Sequence, residues 1–172
     1  MRWFWIDKFV EFESGCRAVA VKNVTLSEDH LHQCLPAYPY LPASLIVEGL
    51  AQTGGLLIGE YNRFTERVVL AKISKAEFHG PALPGDTLTY TAELKYIKDD
   101  GALVCGTSHV NGQLQAEVDL FFAHLDDRIE EEMFEPVHFL NMLRTLRLFE
   151  IGRKADGERL EIPSHLLEAE RS

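Results

Sequence analysis

A helix that is apolar nearly all the way round has to be surrounded by other elements. SLIVEGLAQTGGLLIGEY, from Ser44 to Tyr61, has the length and apolar content of such a helix. Pro42 stops an earlier start and Ser44 is the expected N-cap, although Val47 stands where a capping-box glutamate would. Gly49, Ala51, Gly54, Gly55 and Gly59 lie within it. Each glycine costs roughly 1 kcal/mol of helix propensity relative to alanine. A buried helix carrying them implies other backbone packed close against it.

The flanking sequence supplies the cover. GCRAVAVKNV, Gly15 to Val24, alternates in the period-2 manner of a strand. After Arg67 come four more runs of strand character, RVVLAKISKAEFH, DTLTYTAELKYIK, ALVCGTSHV and QLQAEVDLFFAHL. They are separated by Pro84-Gly85-Asp86, Asp99-Asp100-Gly101 and Asn111-Gly112, the last being a strong hairpin signal. One early strand, one helix and four late strands predict an α+β domain whose long antiparallel sheet buries one face against the helix. The strand DTLTYTAELKYIK points to a sheet edge that pairing between two copies would hide. DDRIEEE, beginning at Asp126, marks a boundary, giving a core of residues 1–128 and a C-terminal extension of residues 129–172. Within the extension, the spacing of Val137, Leu140, Leu143, Leu146, Leu148 and Phe149 predicts a helix over Pro136 to Ile151, with Gly152 as its C-cap. The extension is expected to pack outside the core, so that deleting it costs stability without abolishing the fold. The tail beyond has no period and reads either as docked or as frayed.

Composition narrows the functions available. With 172 residues and 46% apolar content there is material for one core. A net charge of -10 and no Lys/Arg tract argue against nucleic acid as a partner. Three cysteines without metal spacing argue against a disulfide framework or a zinc site and fit a reduced, cytoplasmic setting. Asp7 and Glu11 interrupt the N-terminal aromatic run too early for an export signal, and no run is long enough for a membrane span. Trp3, Phe4 and Trp5 are read as a core or interface clasp, or as a surface-seeking patch.

For chemistry, Glu48 comes first, a charge within the apolar run IVEGLAQ that is either used or leans out to solvent. Gln52, one turn further on the same face, is placed either to hydrogen-bond a neighbouring polar group or to orient Glu48. Pro36, Pro39 and Pro42 stiffen the approach to the helix, whose first amides, Ala43 to Val47, could meet a carbonyl oxygen turning enolate-like. Cys34 reads as a buried inert thiol or as a reactive one helped by His30, His32 or, through the fold, His79. The histidines show no ligand cluster, so no metal is expected, and nothing calls for a cofactor.

Taken together, IDKFVEFESGCRAVAVKNVT, the loop and helix LSEDHLHQCLPAYPYLPASLIVEGLAQTGG, and AKISKAEFHGPALPGDTL resemble the beta-hydroxyacyl-(acyl carrier protein) dehydratases of the hot-dog fold, from about Met1 to about Leu125. The resemblance implies a sheet wrapped around a central helix, a homodimer or a trimer of dimers, and an active tunnel between subunits. It implies that a histidine of a His-Phe-Pro loop and a carboxylate from the partner's helix dehydrate a (3R)-3-hydroxyacyl thioester of acyl carrier protein or coenzyme A in fatty acid synthesis. Glu48 matches the carboxylate. Cys34 falls on the histidine when Pro39, Pro42, Glu48 and Gln52 are kept in register, and Ala43 falls on the glycine whose amide helps hold the thioester carbonyl. Phe78, Pro81, Pro84, Gly85 and Asp86 keep the second signature, with His79 and Gly80 at positions more usually basic. A stand-in for the histidine is therefore required, Cys34 as thiolate or His32 or His79 turned inward. Ala43, Gln52, His32 and His79 are the expected substrate contacts. Two classes stay open, a dehydratase with altered machinery and a non-catalytic hot-dog protein that binds acyl thioesters or fills a structural place. No activated nucleophile or water-positioning motif favours a thioesterase.

Overall fold

The computed structural model describes residues 4–29, 31, 38–125 and 135–170. Strands β1 (Lys8–Glu13), β2 (Arg17–Asn23), β3 (Arg67–Phe78), β4 (Thr87–Lys98), β5 (Gly101–Val110) and β6 (Gln113–Leu125) form one antiparallel sheet in the order β1-β2-β4-β5-β6-β3. Helix α1 (Ala43–Tyr61) lies on its inner face, and α2 (Pro136–Thr145), α3 (Leu148–Ile151) and α4 (Ser164–Ala169) follow the sheet in sequence. The α+β expectation of a sheet around one helix holds. No helix among the described residues is long and apolar enough to cross a membrane.

Registers explain how the helix fits. Ala18, Ala92, Gly106 and Val118 form one cross-strand row, and Ala20, Tyr90, Ser108 and Ala116 the next. Small residues in the first row let α1 settle on the sheet, where a Cβ on Gly106 would lie 3.2 Å from Leu50. Ile46, Leu50, Leu57 and Ile58 fill the space between. Helix α1 begins one residue before Ser44, because the Pro42 carbonyl already accepts the amides of Leu45 (2.9 Å) and Ile46 (3.2 Å). Ser44 is thus a first-turn residue, and Pro42 is an N-cap without a side-chain bond.

The turn signals are realised. Asp86 N–H donates to the Leu83 carbonyl at 2.9 Å with Gly85 at φ +98°, the Pro-Gly pattern of a type II turn. Asn111 and Gly112 take φ 53° and 78°, as a two-residue I′ hairpin requires.

Three expectations are corrected. Strand β1 was not foreseen, because a register shift between Phe9 and Glu11 brings Phe9 and Phe12 to the same buried face and hides the period of two. Strand β4, DTLTYTAELKYIK, is flanked on both sides; the open edge is β3, which leaves Leu70 38%, Ile73 42% and Phe78 40% exposed. The C-terminal helix breaks after Thr145. Arg147 takes φ 64°, and the Leu146 carbonyl accepts the Phe9 amide at 2.9 Å. Gly152 is needed for space rather than for a left-handed cap, since its φ is -60° and a Cβ would stand 2.6 Å from both the Leu148 carbonyl and Leu160.

The extension covers the other sheet edge. Besides the Phe9 bond, Arg153 N–H donates to the Phe12 carbonyl and Ser14 N–H to the Arg153 carbonyl, each at 2.9 Å. Leu140, Leu143, Leu146, Leu148, Leu160 and Leu166 join Ile6, Phe9 and Phe12 in one buried cluster, so the tail is docked. The acidic run read as a boundary lies outside the described residues.

Candidate functional site

Glu48 is half-buried in the second turn of α1, and Gln52 follows one turn later. Gln52 Nε2 donates to Glu48 Oε1 at 2.9 Å, while its Oε1 accepts the backbone N–H of Trp5, also at 2.9 Å. The Trp5 peptide crosses α1 at Gly49, where a Cβ would lie 2.9 Å from the Trp5 carbonyl oxygen and 2.4 Å from Tyr90 Cε2. The expected backbone approach is therefore real at this glycine. Beneath it, burial pushes the Tyr90 phenol far above its usual range, with the charges of Asp7 and Glu28 adding to the effect. Its hydroxyl has no partner among the described residues.

Past Trp5 the chain is anchored. Asp7 N–H donates to the Val21 carbonyl at 2.7 Å, and the Asp7 carboxylate accepts both the backbone and side-chain N–H of Asn23 at 2.8 Å. Lys22, buried beside it, donates to Glu28 at 2.6 Å.

Ala43 opens α1 and lines a cavity of about 430 Å³ with Tyr38, Tyr40, Ile46, Phe78 and Gln115. Glu48 stands about 140° round the helix from Ala43. Within one chain, the carboxylate and this cavity face different sides of α1. Glu48 and Gln52 are thus brought together, whereas Ala43 belongs to another surface. His79 sits at the end of β3 with Nε2 3.3 Å from Glu117 Oε2, and its backbone N–H donates to the Gln115 carbonyl at 2.8 Å. It meets Glu117 rather than Glu48. Glu77, His79 and Glu117 lie close enough to share an ion, but they are solvent-accessible and Lys75 reaches both carboxylates at 3.3 and 3.7 Å, an ion-pair network. Cys34, His32 and His30 lie outside the described residues.

Gln115 escaped the sequence reading. The alternation of QLQAEVDLFF puts Leu114 in phase with Ala116 and Val118 and sends Gln115 outward. A bulge reverses this, for Ser108 pairs with Ala116 but His109 with Leu114, leaving Gln115 as the extra residue. Gln115 is only 4% exposed and Leu114 is 41% exposed. Gln115 Nε2 donates to the Gly80 carbonyl at 2.8 Å and so ties down the cavity rim. No sequence signal announces a bulge of this kind.

Comparison with known proteins supplies a family context. The description "FabA-like domain" matches residues 4–119. The chain is 34% identical over 119 residues to the 3-hydroxyacyl-(acyl-carrier-protein) dehydratase FabZ of Desulforamulus reducens, covering 69% of this chain and 84% of that protein. Among solved structures, the dehydratase heterocomplex ApeI:P of Xenorhabdus doucetiae aligns with a TM-score of 0.61 at 14% identity, covering 72% of this chain and 84% of that one. A Streptococcus mutans protein bound to acetyl CoA aligns at 0.59 and 17%, covering 73% and 93%. At these identities the structures speak for the fold, which is the hot-dog fold.

Proposed function

The chain belongs to the FabA-like family, and from that premise we propose that it is a (3R)-3-hydroxyacyl thioester dehydratase with altered machinery, serving cytoplasmic fatty acid synthesis. The observation that carries this reading is Glu48, a carboxylate kept in a largely apolar helix and oriented by Gln52. Dehydration removes the proton alpha to the thioester and expels the 3-hydroxyl as water, leaving a trans-2-enoyl thioester. One group must take a proton and another must give one, in a channel poor in water. Glu48 supplies one of these roles. Cys34, standing where the family carries histidine, supplies the other, and the first amides of α1 around Ala43 polarise the thioester carbonyl. An ordinary thiol is only a few per cent thiolate at neutral pH, so turnover is expected to be slow.

A shared site needs two copies, and the open edge of β3 offers the pairing surface. Acidic carriers need basic contacts on this acidic chain. Lys75 and Lys95 are engaged by Glu77, Glu117 and Glu93, while Lys72 lies 5.9 Å over the Phe121 ring and Lys98 lies 5.4 Å over that of Tyr96. Lys72 and Lys98, with no carboxylate partner among the described residues, are the ones assigned to a carrier.

The loss of the family histidine favours a second reading, a non-catalytic partner that binds acyl thioesters. Hydration of a crotonyl thioester, the reverse reaction, separates the two. Cys34→His is expected to raise the rate by about 10²-fold or more, and Glu48→Gln in that background to remove the gain. A Cys34→His protein that stays folded, dimeric and inactive would mean that the machinery is lost at more than this position and would make the second reading the better one.

A further inference from the structure

We infer that Gln115 is a specificity residue, its side-chain oxygen being the acceptor for a hydrogen-bond donor carried by an acyl thioester in the cavity beside Ala43. Leu41, Ile46, Phe78 and Pro81 give that cavity apolar walls, and its volume of about 430 Å³ is within the range of small-ligand sites. Gln115 brings a buried amide into the same wall. Its backbone carbonyl accepts the His79 N–H at 2.8 Å, and its Nε2 donates to the carbonyl of the next residue, Gly80, also at 2.8 Å. A carbonyl can only accept, so Gly80 claims the NH₂ and fixes the oxygen at the other end of the amide.

That oxygen, Oε1, is closed to solvent and has no hydrogen-bond partner among the described residues. Buried polar atoms are almost always paired, because an unmet one gives up its hydration for nothing. An acceptor closed to water at the wall of a cavity is satisfied by what fills the cavity, and it asks for an N–H or an O–H. An acyl thioester has both, a hydroxyl on its acyl chain and an amide N–H on the thiol arm of acyl carrier protein or coenzyme A, with apolar stretches for the remaining walls. The ligand class rests on the acyl-thioester reading, but the demand for a donor at Oε1 does not.

Four thioesters separate the two sources of the donor: octanoyl and 3-hydroxyoctanoyl chains, each on N-acetylcysteamine, which has an amide N–H, and on pentanethiol, which has none. Calorimetry in the full-length Glu48→Gln protein reads binding without turnover. Loss of the chain hydroxyl or of the arm amide is expected to weaken binding about fivefold or more, and the donor whose loss matters identifies the source. In Gln115→Leu that preference is expected to vanish, with the octanoyl pentyl thioester bound within about twofold of its parent affinity. A tie to Gly80 that is merely structural would weaken all four ligands alike and leave the preference intact. A crystal structure with the tightest ligand is expected to place its donor within hydrogen-bond reach of Oε1, a readout that stands even where Gln115→Leu does not fold. Equal affinity for all four, a preference that survives Gln115→Leu, or Oε1 met by a residue of a second copy overturns the inference and leaves the acyl-thioester reading in place. If none of the four binds, both fall. A donor preference in a wild-type protein that never turns over keeps the inference and removes only the dehydratase.

Discussion

Gly49 and Gly55 show how far one methyl group can differ in effect on the same helix. At Gly49 a Cβ would stand 2.4 Å from the buried Tyr90 ring and 2.9 Å from the Trp5 carbonyl oxygen, and neither neighbour has room to retreat. Overpacking of this kind costs about 1–3 kcal/mol or more, which outweighs the roughly 1 kcal/mol of helix propensity that alanine returns. At Gly55 the nearest atom is Phe122 Cε1 at 3.4 Å, an ordinary contact, so the propensity gain stands alone. Gly49→Ala is therefore expected to lower the urea midpoint by displacing the Trp5 peptide, while Gly55→Ala raises the midpoint, with a gain of up to about 1 kcal/mol of stability. Equal effects from the two substitutions in urea melts would refute the close packing of the Trp5 peptide and Tyr90 against Gly49. Sequence alone gives these glycines one meaning, because propensity is local and the atoms opposite each of them come from distant segments. Glu48 and Gln52 were legible for the opposite reason, since their relation is one turn of a single helix.

Strands β2 to β6 and α1 were readable from alternation, turn residues and apolar length, all of which are local. What could not be read was order. β4 has an edge-like composition but sits inside the sheet, and only the registers reveal β3 as the strand left open, with Leu70, Ile73 and Phe78 exposed along it. Such an edge is a liability unless it is paired. Light scattering at micromolar concentration is expected to find a dimer and Ile73→Asp a monomer with lost turnover; a 19.5 kDa particle in the wild type would exclude both the dimer and a shared site. The last turn of α1 carries a second readable stress. Burial raises the Glu60 carboxyl above its usual range, against weaker lowering by a Ser14 hydrogen bond and by Arg63. The folded state then holds that proton more tightly than the unfolded chain, so stability falls as pH rises from the ordinary carboxylate range through the raised value. Glu60→Gln is expected to raise Tm modestly at pH 7 and to leave it nearly unchanged at pH 4. A gain at pH 4 equal to that at pH 7 would assign the effect to something other than ionisation.

At the scale of the whole molecule, the sheet has two edges and treats them differently. One is left open at β3. The other, β1, is bonded through Phe9, Phe12 and Ser14 to the extension, whose leucines share the core with Ile6, Phe9 and Phe12. A second contact runs from the end of α1, where Phe64 at φ 56° places its ring 5.3 Å from Phe139 and 6.4 Å from Phe149. A residue of this size in the left-handed region persists only where its surroundings hold it. These contacts change what truncation should do. Fully burying a leucine is worth roughly 1.5–3 kcal/mol, and Leu140, Leu143, Leu146, Leu148, Leu160 and Leu166 together rival the about 5–15 kcal/mol of net stability of an ordinary domain. Removing everything after Leu125 would strip these contacts and the β1 hydrogen bonds at once, leaving a sheet with two bare edges. The expectation of a merely weakened fold is accordingly revised. The truncated chain is expected to aggregate or to lose cooperative unfolding, and co-expression of residues 126–172 as a separate chain to restore a soluble complex in which the Phe9 and Arg153 amides exchange slowly. A truncated chain that melts at the same urea midpoint as the intact protein would instead make the extension a passenger, and the closure of β1 would have to come from the sheet alone.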